Sequence, residues 1–419
     1  MFLLAFFGTG LYCIGHVGGE RVKSNRMGFF IMGWFGMLFY FAQRWLFGPL
    51  IPSLMQAFGA DSTTLGVIGS ASMWGYMSIP IVAGLISDRF GRKHAILFGI
   101  FGFSTLTVVS GLVNTANQLF WSRFFTGTVE AFYFVPLTAF TLEIFPERPA
   151  FFLGLLMSGS AMGWFVGPAV AGWLLDLTGT WRSAFLVIGS AGLAVAFLQW
   201  RLWPEVRSEI RSSVYFNRAI LLPRNALMLL FLGLVLTFQT ASEFGFAMWF
   251  PVYLRTEVLM SATGAGVLAG LFGIGQALGR PIMGIVSDRT GYRRTGVAGS
   301  ILMGIFLMLT LSVANTPLRV LFTLMAGFIG TAATGGLWTF TGLAFASFKG
   351  LALGIIVTIA YCASSFSPIA IGYIGGHYSI ATALWTVTVP CAFAAGAFFM
   401  PTFLLKRTQE RQSASKPVT

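Results

Sequence analysis

The sequence predicts an all-α membrane protein of twelve transmembrane helices, arranged as two pseudo-symmetric six-helix bundles. Three observations lead there. The composition suits a bilayer: 56% of the 419 residues are hydrophobic, 16% aromatic and 9% charged, where a soluble chain carries roughly 25% charge. The apolar residues come in runs of about 20 or more, the length that crosses hydrocarbon, separated by short polar joints. A ten-residue segment that ends one such run recurs 200 residues later.

In chain order the runs place span 1 at 27–54, span 2 at 64–87, span 3 at 95–113, span 4 at 118–141, span 5 at 151–175 and span 6 at 183–203. Span 7 follows at 225–254, span 8 at 261–286, span 9 at 295–314, span 10 at 318–346, span 11 at 350–376 and span 12 at 380–404. No stretch is left for a soluble catalytic domain, and neither a GxxxxGK[ST] loop nor a GxSxG elbow with plausible partners is present, so no enzyme is expected. The longest polar segment, Pro204 to Arg224, reads as a linker between one bundle at 27–203 and another at 225–404, with a tail at 405–419. Ahead of span 1 lies an apolar and basic segment, 1–26. Its apolar part, Met1 to Gly19, has no basic residue before it, unlike a secretory signal. It is expected to lie at the membrane interface or to precede a true start near Met27, with a further spanning helix as the lesser alternative.

The formal charge of +13 raises the question of nucleic acid. Of the 26 Lys and Arg, 20 fall in every second joint and the two terminal segments, while the opposite joints hold Arg182, Arg255 and Arg319. That alternation is the positive-inside bias, and it puts both ends of the twelve-span unit in the cytoplasm, in a cell (inner) membrane. The basic residues then serve topology and anionic lipid, and no nucleic acid partner is expected. Cys13, Cys362 and Cys391 lie far apart in apolar runs, and His16, His94 and His377 never fall at ligand spacing. No metal site and no cofactor follow from them.

The repeat is GLISDRFGRK, from Gly84 to Lys93, which recurs as GIVSDRTGYRR, from Gly284 to Arg294. Gly84/Gly284, Ser87/Ser287, Asp88/Asp288, Arg89/Arg289 and Gly91/Gly291 are each 200 residues apart, with Arg92 and Arg293 just beyond. Glycine there permits close helix approach, aspartate accepts hydrogen bonds at a helix end, and arginine can hold the cytoplasmic side shut until the halves rock. The doubled loop resembles the signature of the major facilitator superfamily. Arg123-x-x-x-Gly127 opening span 4 and Gly163-x-x-x-Gly167-Pro168 in span 5 agree with it, and the resemblance covers nearly all of 27–404. It implies the major facilitator fold and a secondary transporter that works by alternating access, with the two loops as gates and a monomer as the usual working unit. The span 5 pattern is associated with antiporters, but close helix packing is the better-supported reading of it.

A charge at mid-membrane costs at least ~2.5–3.5 kcal/mol, so each needs a partner or a wet cavity. Four residues meet that filter: Arg44 in span 1, Glu130 in span 4, Glu243 in span 7 and Arg280 in span 8, with Gln43, Gln239 and Gln276 as polar companions. Arg44 precedes Gly48-Pro49 and Pro52, which loosen the helix, and a guanidinium suits bidentate capture of a carboxylate. Its alternative is a salt bridge to Glu130; substrate binding is favoured, because an arginine is an expensive way to pin two helices. Glu130 lies seven residues after Arg123, on the same face, and is the candidate proton carrier. Arg-Phe-x-x-Gly-x-x-Glu-Ala with Pro136 resembles span 4 of the anion:cation symporters. In that group span 1 often carries Asp-Arg where Gln43-Arg44 stands here, which puts a second proton site in question. Arg-Pro-x-x-Gly at Arg280 resembles monocarboxylate and oxalate:formate transporters, implying a carboxylate contact; binding to helix-end carbonyls or to Glu243 is an equal alternative. Glu243 is a second proton site or the partner of Arg280. Tyr76 and Tyr133, with Gln43 and Gln239, are expected to shape the pocket, ahead of Tyr40, Trp45, Trp249 and Trp338.

These features predict a proton-coupled transporter of a small organic anion, a carboxylate, with protons and the lipid bilayer as its other partners. The rivals are a drug or metabolite:proton antiporter, against which Arg44 counts, and a transporter-like scaffold or sensor, which has no need of two gating loops.

Overall fold

A computed structural model of the chain describes residues 22–79, 83, 86–87, 91–203, 223–345 and 349–400, and all regular structure among them is helical. The segment Met1 to Gly19, most of the expected linker, the tail and the gating residues Gly84, Asp88 and Arg89 lie outside the described residues. Twelve spans are present among the described residues. They run, in order, over 22–58, Ser62–Ser78, Arg92–Leu112, Ala116–Ile144, Pro149–Thr178, Arg182–Arg201, Pro223–Thr256, Ala262–Thr290, Tyr292–Ser312, Thr316–Ala344, 349–377 and Ile380–Phe399. Nine helices among the described residues are long and apolar enough to cross a bilayer. Spans 1 and 4, which carry Arg44 and Glu130, fall outside that set, and span 2 is described as a helix over Ser62–Ser78 alone.

Two of the twelve spans differ from the sequence expectation by being broken. Span 1 consists of Val22–Trp45 and Phe47–Phe58, and span 11 of Lys349–Ser364 and Ser367–His377. Each break precedes a proline, Pro49 and Pro368, which has no N–H for the carbonyl four residues back.

The two halves match at the 200-residue offset well beyond the repeated loop. Asp61 and Ser261 cap spans 2 and 8 by accepting from the N–H of Thr64 and Gly264 at 3.0 Å each. Thr115 and Asn315 do the same for spans 4 and 10 at 3.2 and 3.3 Å. Gly91 and Gly291, which start spans 3 and 9, have φ/ψ of 88°/143° and 93°/131°. Only glycine adopts that conformation without strain, so the loop glycine of the motif is required by the turn in both copies.

The bundles meet through another set of paired contacts. Gly66 of span 2 abuts the Pro368 carbonyl of span 11, and Gly266 of span 8 abuts the Pro168 carbonyl of span 5. Gly172 likewise abuts the Ala262 carbonyl, and Gly372 that of Ser62. A Cβ at any of the four would collide, so small residues let the helices touch backbone to backbone. Side chains reinforce this end of the molecule. Asp176 accepts from the Ala262 and Thr263 N–H groups at 3.2 and 2.8 Å and from the Thr263 hydroxyl at 2.7 Å, and Arg255 donates to the Pro49 carbonyl at 2.6 Å. Toward the other end, Gly154, Gly284 and Gly354 have no atom within 4 Å of where a Cβ would stand. The glycine, Asp176 and Arg255 contacts close the bundles against each other at the end bearing Asp61 and Ser261.

Candidate functional site

The site begins with the break in span 1. Because that helix segment stops at Trp45, its last carbonyls lack intrahelical donors. Arg123 of span 4, 1% exposed, supplies them: its guanidinium donates to the Gln43 carbonyl at 2.9 Å, the Arg44 carbonyl at 3.4 Å and the Gln43 Oε1 at 3.2 Å. Sequence reasoning identified Arg123 as a motif residue but gave it no task; the arginine fastens span 4 to the loosened turn.

Glycines hold span 1 from its other side. Gly159 abuts the Trp34 carbonyl, Gly163 that of Leu38 and Gly167 that of Ala42, a ladder in which both helices advance by four residues. Gly127 of span 4 packs on the Ser72 carbonyl of span 2 in the same manner. The Gly163-x-x-x-Gly167-Pro168 pattern is thus close packing, with Pro168 at the bundle interface.

Two turns along span 4 from Arg123 stands Glu130, fully buried. Its Oε1 accepts from Gln43 Nε2 and its Oε2 from Arg44 Nη2, making a buried ion pair between spans 1 and 4. Arg44 also donates to the Tyr40 hydroxyl at 3.4 Å, and the Tyr40 and Tyr76 rings lie 5.3 and 5.8 Å from its Cζ. Its Nε is buried without a partner among the described residues. Arg44 therefore makes the Glu130 bridge while keeping a free donor.

Arg44 lines a narrow cleft between the bundles, together with Trp45, Phe47, Gly48, Gly69 and Met73 of the first bundle and Phe244 and Met248 of the second. Aromatic rings enclose it. Trp45 lies 4.2 Å from Trp164 and 5.4 Å from Phe244, Phe244 lies 5.5 Å from Tyr361, and Tyr361 lies 6.2 Å from Tyr76. Tyr361 was not singled out from sequence; its only signal was a tyrosine inside the apolar run of span 11.

The second bundle has its own polar cluster. Glu243 accepts from Gln239 Nε2 at 2.8 Å and from Gln276 Nε2 at 3.4 Å, and Ser300 donates to Gln239 at 3.3 Å. Arg280 touches Gln276 at 3.5 Å, but its main bonds cross to the first bundle, to the Met157 carbonyl at 3.0 Å and the Ser160 hydroxyl at 3.1 Å. Arg280 thus bonds a carbonyl inside span 5, neither a helix-end carbonyl nor Glu243, and Glu243 is held by two amides.

Of the residues read from sequence, Arg44, Gln43, Glu130 and Tyr76 are brought together, and Glu243, Gln239 and Arg280 form a second group. Tyr133 is not brought to the cleft. It is buried among spans 1, 3 and 4, donates to Gln199 at 3.4 Å and stacks on Tyr40 at 6.3 Å. At the end bearing Gly91 and Gly291, Arg92 pairs with Glu143 at 2.6 Å, Tyr292 donates to Asp288 at 3.0 Å, and Arg293 lies 4.3 Å over the Phe340 ring. These contacts stay within one bundle each. Arg289, in the last turn of span 8, is exposed and forms no ion pair among the described residues. Among the described residues no group of three or more His, Cys, Asp or Glu could hold a metal ion.

Comparison with known proteins agrees with this architecture. The cis,cis-muconate transport protein of Acinetobacter baylyi is 27% identical over 366 residues, 84% of this chain and 88% of that protein. The 3-(3-hydroxyphenyl)propionate transporter of Escherichia coli K12 is 27% identical over 353 residues, covering 82% and 84%. Among solved structures, a bacterial homologue of the human lysosomal transporter Spinster, inward-facing and unoccupied, superposes with a TM-score of 0.72 at 16% identity, covering 92% of this chain and 98% of that one. The sequence profile of the Major Facilitator Superfamily matches residues 33–259 and 232–419, and the chain belongs to that superfamily, a family of transporters and not of enzymes.

Proposed function

We propose that this chain is a secondary active transporter of small organic acids, coupled to protons, in which Arg44 holds the substrate carboxylate and Glu130 exchanges the proton. The observation that carries the reading is Arg44 itself. It is buried at mid-span, lines the cleft between the bundles and is paired to Glu130 through one edge of its guanidinium. An arriving carboxylate competes with Glu130 for that guanidinium. If the anion took the Arg44 guanidinium with no proton entering, Glu130 would stay ionised and buried without its ion-pair partner; a proton taken up by Glu130 removes that stranded charge, avoiding a cost of several kcal/mol. Glu243, with amide partners only, is a candidate for a further proton. Both relatives named above are described as carriers of carboxylates, which supports the substrate class.

In this reading the bundles, 27–203 and 225–404, rock about the cleft, the Gly91 and Gly291 loops gate one face, and the basic joints argue for that face in the cytoplasm of an inner-membrane protein acting as a monomer. The test is uptake of labelled benzoate, muconate and sugar acids into proteoliposomes under an imposed pH gradient. An acid-outside gradient is expected to drive accumulation of at least one of them, and Arg44→Gln to abolish it. Uptake indifferent to the gradient removes the proton coupling, and an Arg44→Gln protein that transports normally removes the site.

A further inference from the structure

We infer that the Trp45 indole N–H is a second substrate-binding donor beside Arg44, so that the site selects organic acids bearing a neutral acceptor oxygen, a hydroxyl or keto group, in addition to the carboxylate. This rests on the proposed role of Arg44. Trp45 is 4% exposed, and its Nε1 is buried without a hydrogen-bond partner among the described residues. Other tryptophans of this protein do find partners: Trp34 donates to Ser158, Trp74 to Ser365 and Trp249 to the Pro368 carbonyl, each at 2.9 Å. A dry indole N–H left unbonded is costly, and buried tryptophans normally satisfy it. Trp45 is also the neighbour of Arg44 at the break in span 1 and lines the same cleft, where Arg44 Nε is equally unpartnered.

The ring is not free to seek another partner. Trp164 packs against it with ring centroids 4.2 Å apart, and Phe244 of the opposite bundle lies 5.4 Å away. An indole N–H only donates, so its complement must accept. Arg44 is the one cation among the described residues lining the cleft, so a neutral oxygen fits there better than a second carboxylate, which would add a charge with no counterpart. The Trp45, Trp164 and Phe244 rings leave a flat apolar wall for the body of the acid between its two polar ends.

The experiment measures binding of benzoate and of 2-, 3- and 4-hydroxybenzoate to the purified full chain, by calorimetry, in the wild type and in Trp45→Phe, which keeps an aromatic ring but removes the donor. The wild type is expected to bind at least one hydroxybenzoate about tenfold more tightly than benzoate, the size of one hydrogen bond. Trp45→Phe, which also narrows the aromatic wall, is expected to weaken all four acids and to lose that preference, its affinity for the favoured hydroxybenzoate falling about tenfold further than that for benzoate. Benzothienylalanine at position 45, which puts sulfur in place of the N–H and keeps the bicycle, serves as second variant should the phenylalanine protein fold poorly. A wild type that binds benzoate and the hydroxybenzoates alike, or a preference that survives in both variants, overturns the inference and leaves the role of Arg44 standing. A wild type that binds none of the acids, or an Arg44→Gln protein that binds benzoate unchanged, overturns the carboxylate reading and this inference with it.

Discussion

The buried pair of Arg44 and Glu130 can be dissected with a double-mutant cycle. Arg44→Gln removes the cation and leaves Glu130, fully buried, with the Gln43 amide as its remaining donor. Glu130→Gln leaves a guanidinium 5% exposed, with the Tyr40 hydroxyl and two aromatic faces around it. Breaking one side of a buried ion pair costs about 3–5 kcal/mol, because a charge is stranded in a dry site. The double variant strands no charge, and its two amides can hydrogen-bond across the same gap. Its loss should fall short of the sum of the single losses by about 2–3 kcal/mol, the coupling expected of contacting charged residues. Reversible denaturation in detergent measures the cycle, and proteoliposome uptake is measured on the same proteins. All three variants should fail to transport, since the double variant recovers the fold without the carboxylate receptor. Additivity within about 0.5 kcal/mol would mean that the pair is not coupled, and transport by the double variant would mean that neither charge handles substrate.

The packing and the loops give further expectations. Gly167→Leu puts a side chain against the Ala42 carbonyl and pushes span 1 outward; a loss of about 1–3 kcal/mol and loss of uptake should follow, and unimpaired uptake would disconnect the glycine ladder from the placing of Arg44. Gly291→Ala has space but a φ of +93°, so about 1–3 kcal/mol of backbone strain is expected, whereas Gly284→Ala, with nothing within 4 Å, should stay within about 0.5 kcal/mol; equal melting temperatures for the two refute the conformational argument. Hydrogen bonding from Thr64 holds the Asp61 carboxyl below its usual range, so the cap is intact at neutral pH and its contribution fades as pH falls below about 3.9; Asp61→Asn should remove that component from the pH profile of stability, and an unchanged profile tells against it. Asp176→Asn weakens a carboxylate that holds three donors across the closed end, so a cysteine placed in the cleft should become more reactive from that side; unchanged labelling would show that the glycine contacts alone keep it shut.

Much of the fold could be read from residues because bilayer length and apolar runs leave little freedom, and each of the twelve spans starts within about five residues of its expected position. The breaks at Leu46 and before Pro368 were not foreseen, although Pro49 and Pro52 were recognised as loosening span 1. A proline only says which hydrogen bond is missing; whether the helix kinks or parts depends on what takes up the freed carbonyls, and here that is Arg123, 79 to 80 residues away. Cost alone singled out Arg44 and Glu130, since few residues can be charged at that depth, but the same cost counted against the salt bridge between them, which is the arrangement seen. Tyr133 was misplaced because helical spacing gives the face of a residue within its own helix and not which neighbour that face meets. Tyr361 and the unbonded Trp45 N–H were invisible for the same reason: both are defined by partners, present or missing, on other helices.

The two halves agree where they are scaffold and disagree where they are chemistry. At the 200-residue offset the glycines that let helices touch, the caps and the loop glycines coincide: Gly66/Gly266, Gly172/Gly372, Thr115/Asn315, Gly91/Gly291. At the same offset Gln43 matches Glu243, Arg44 matches Phe244, Tyr76 matches Gln276 and Glu130 matches Gly330. Repeating the packing residues gives both bundles the same shape, and two like bundles can close against each other at either face with equivalent contacts. Repeating the charges would put a second buried arginine–glutamate pair beside the first, doubling the desolvation cost for a single bound anion. A carrier of one small acid therefore gains from symmetric helices and an asymmetric lining, with Arg44 facing Phe244 across the cleft.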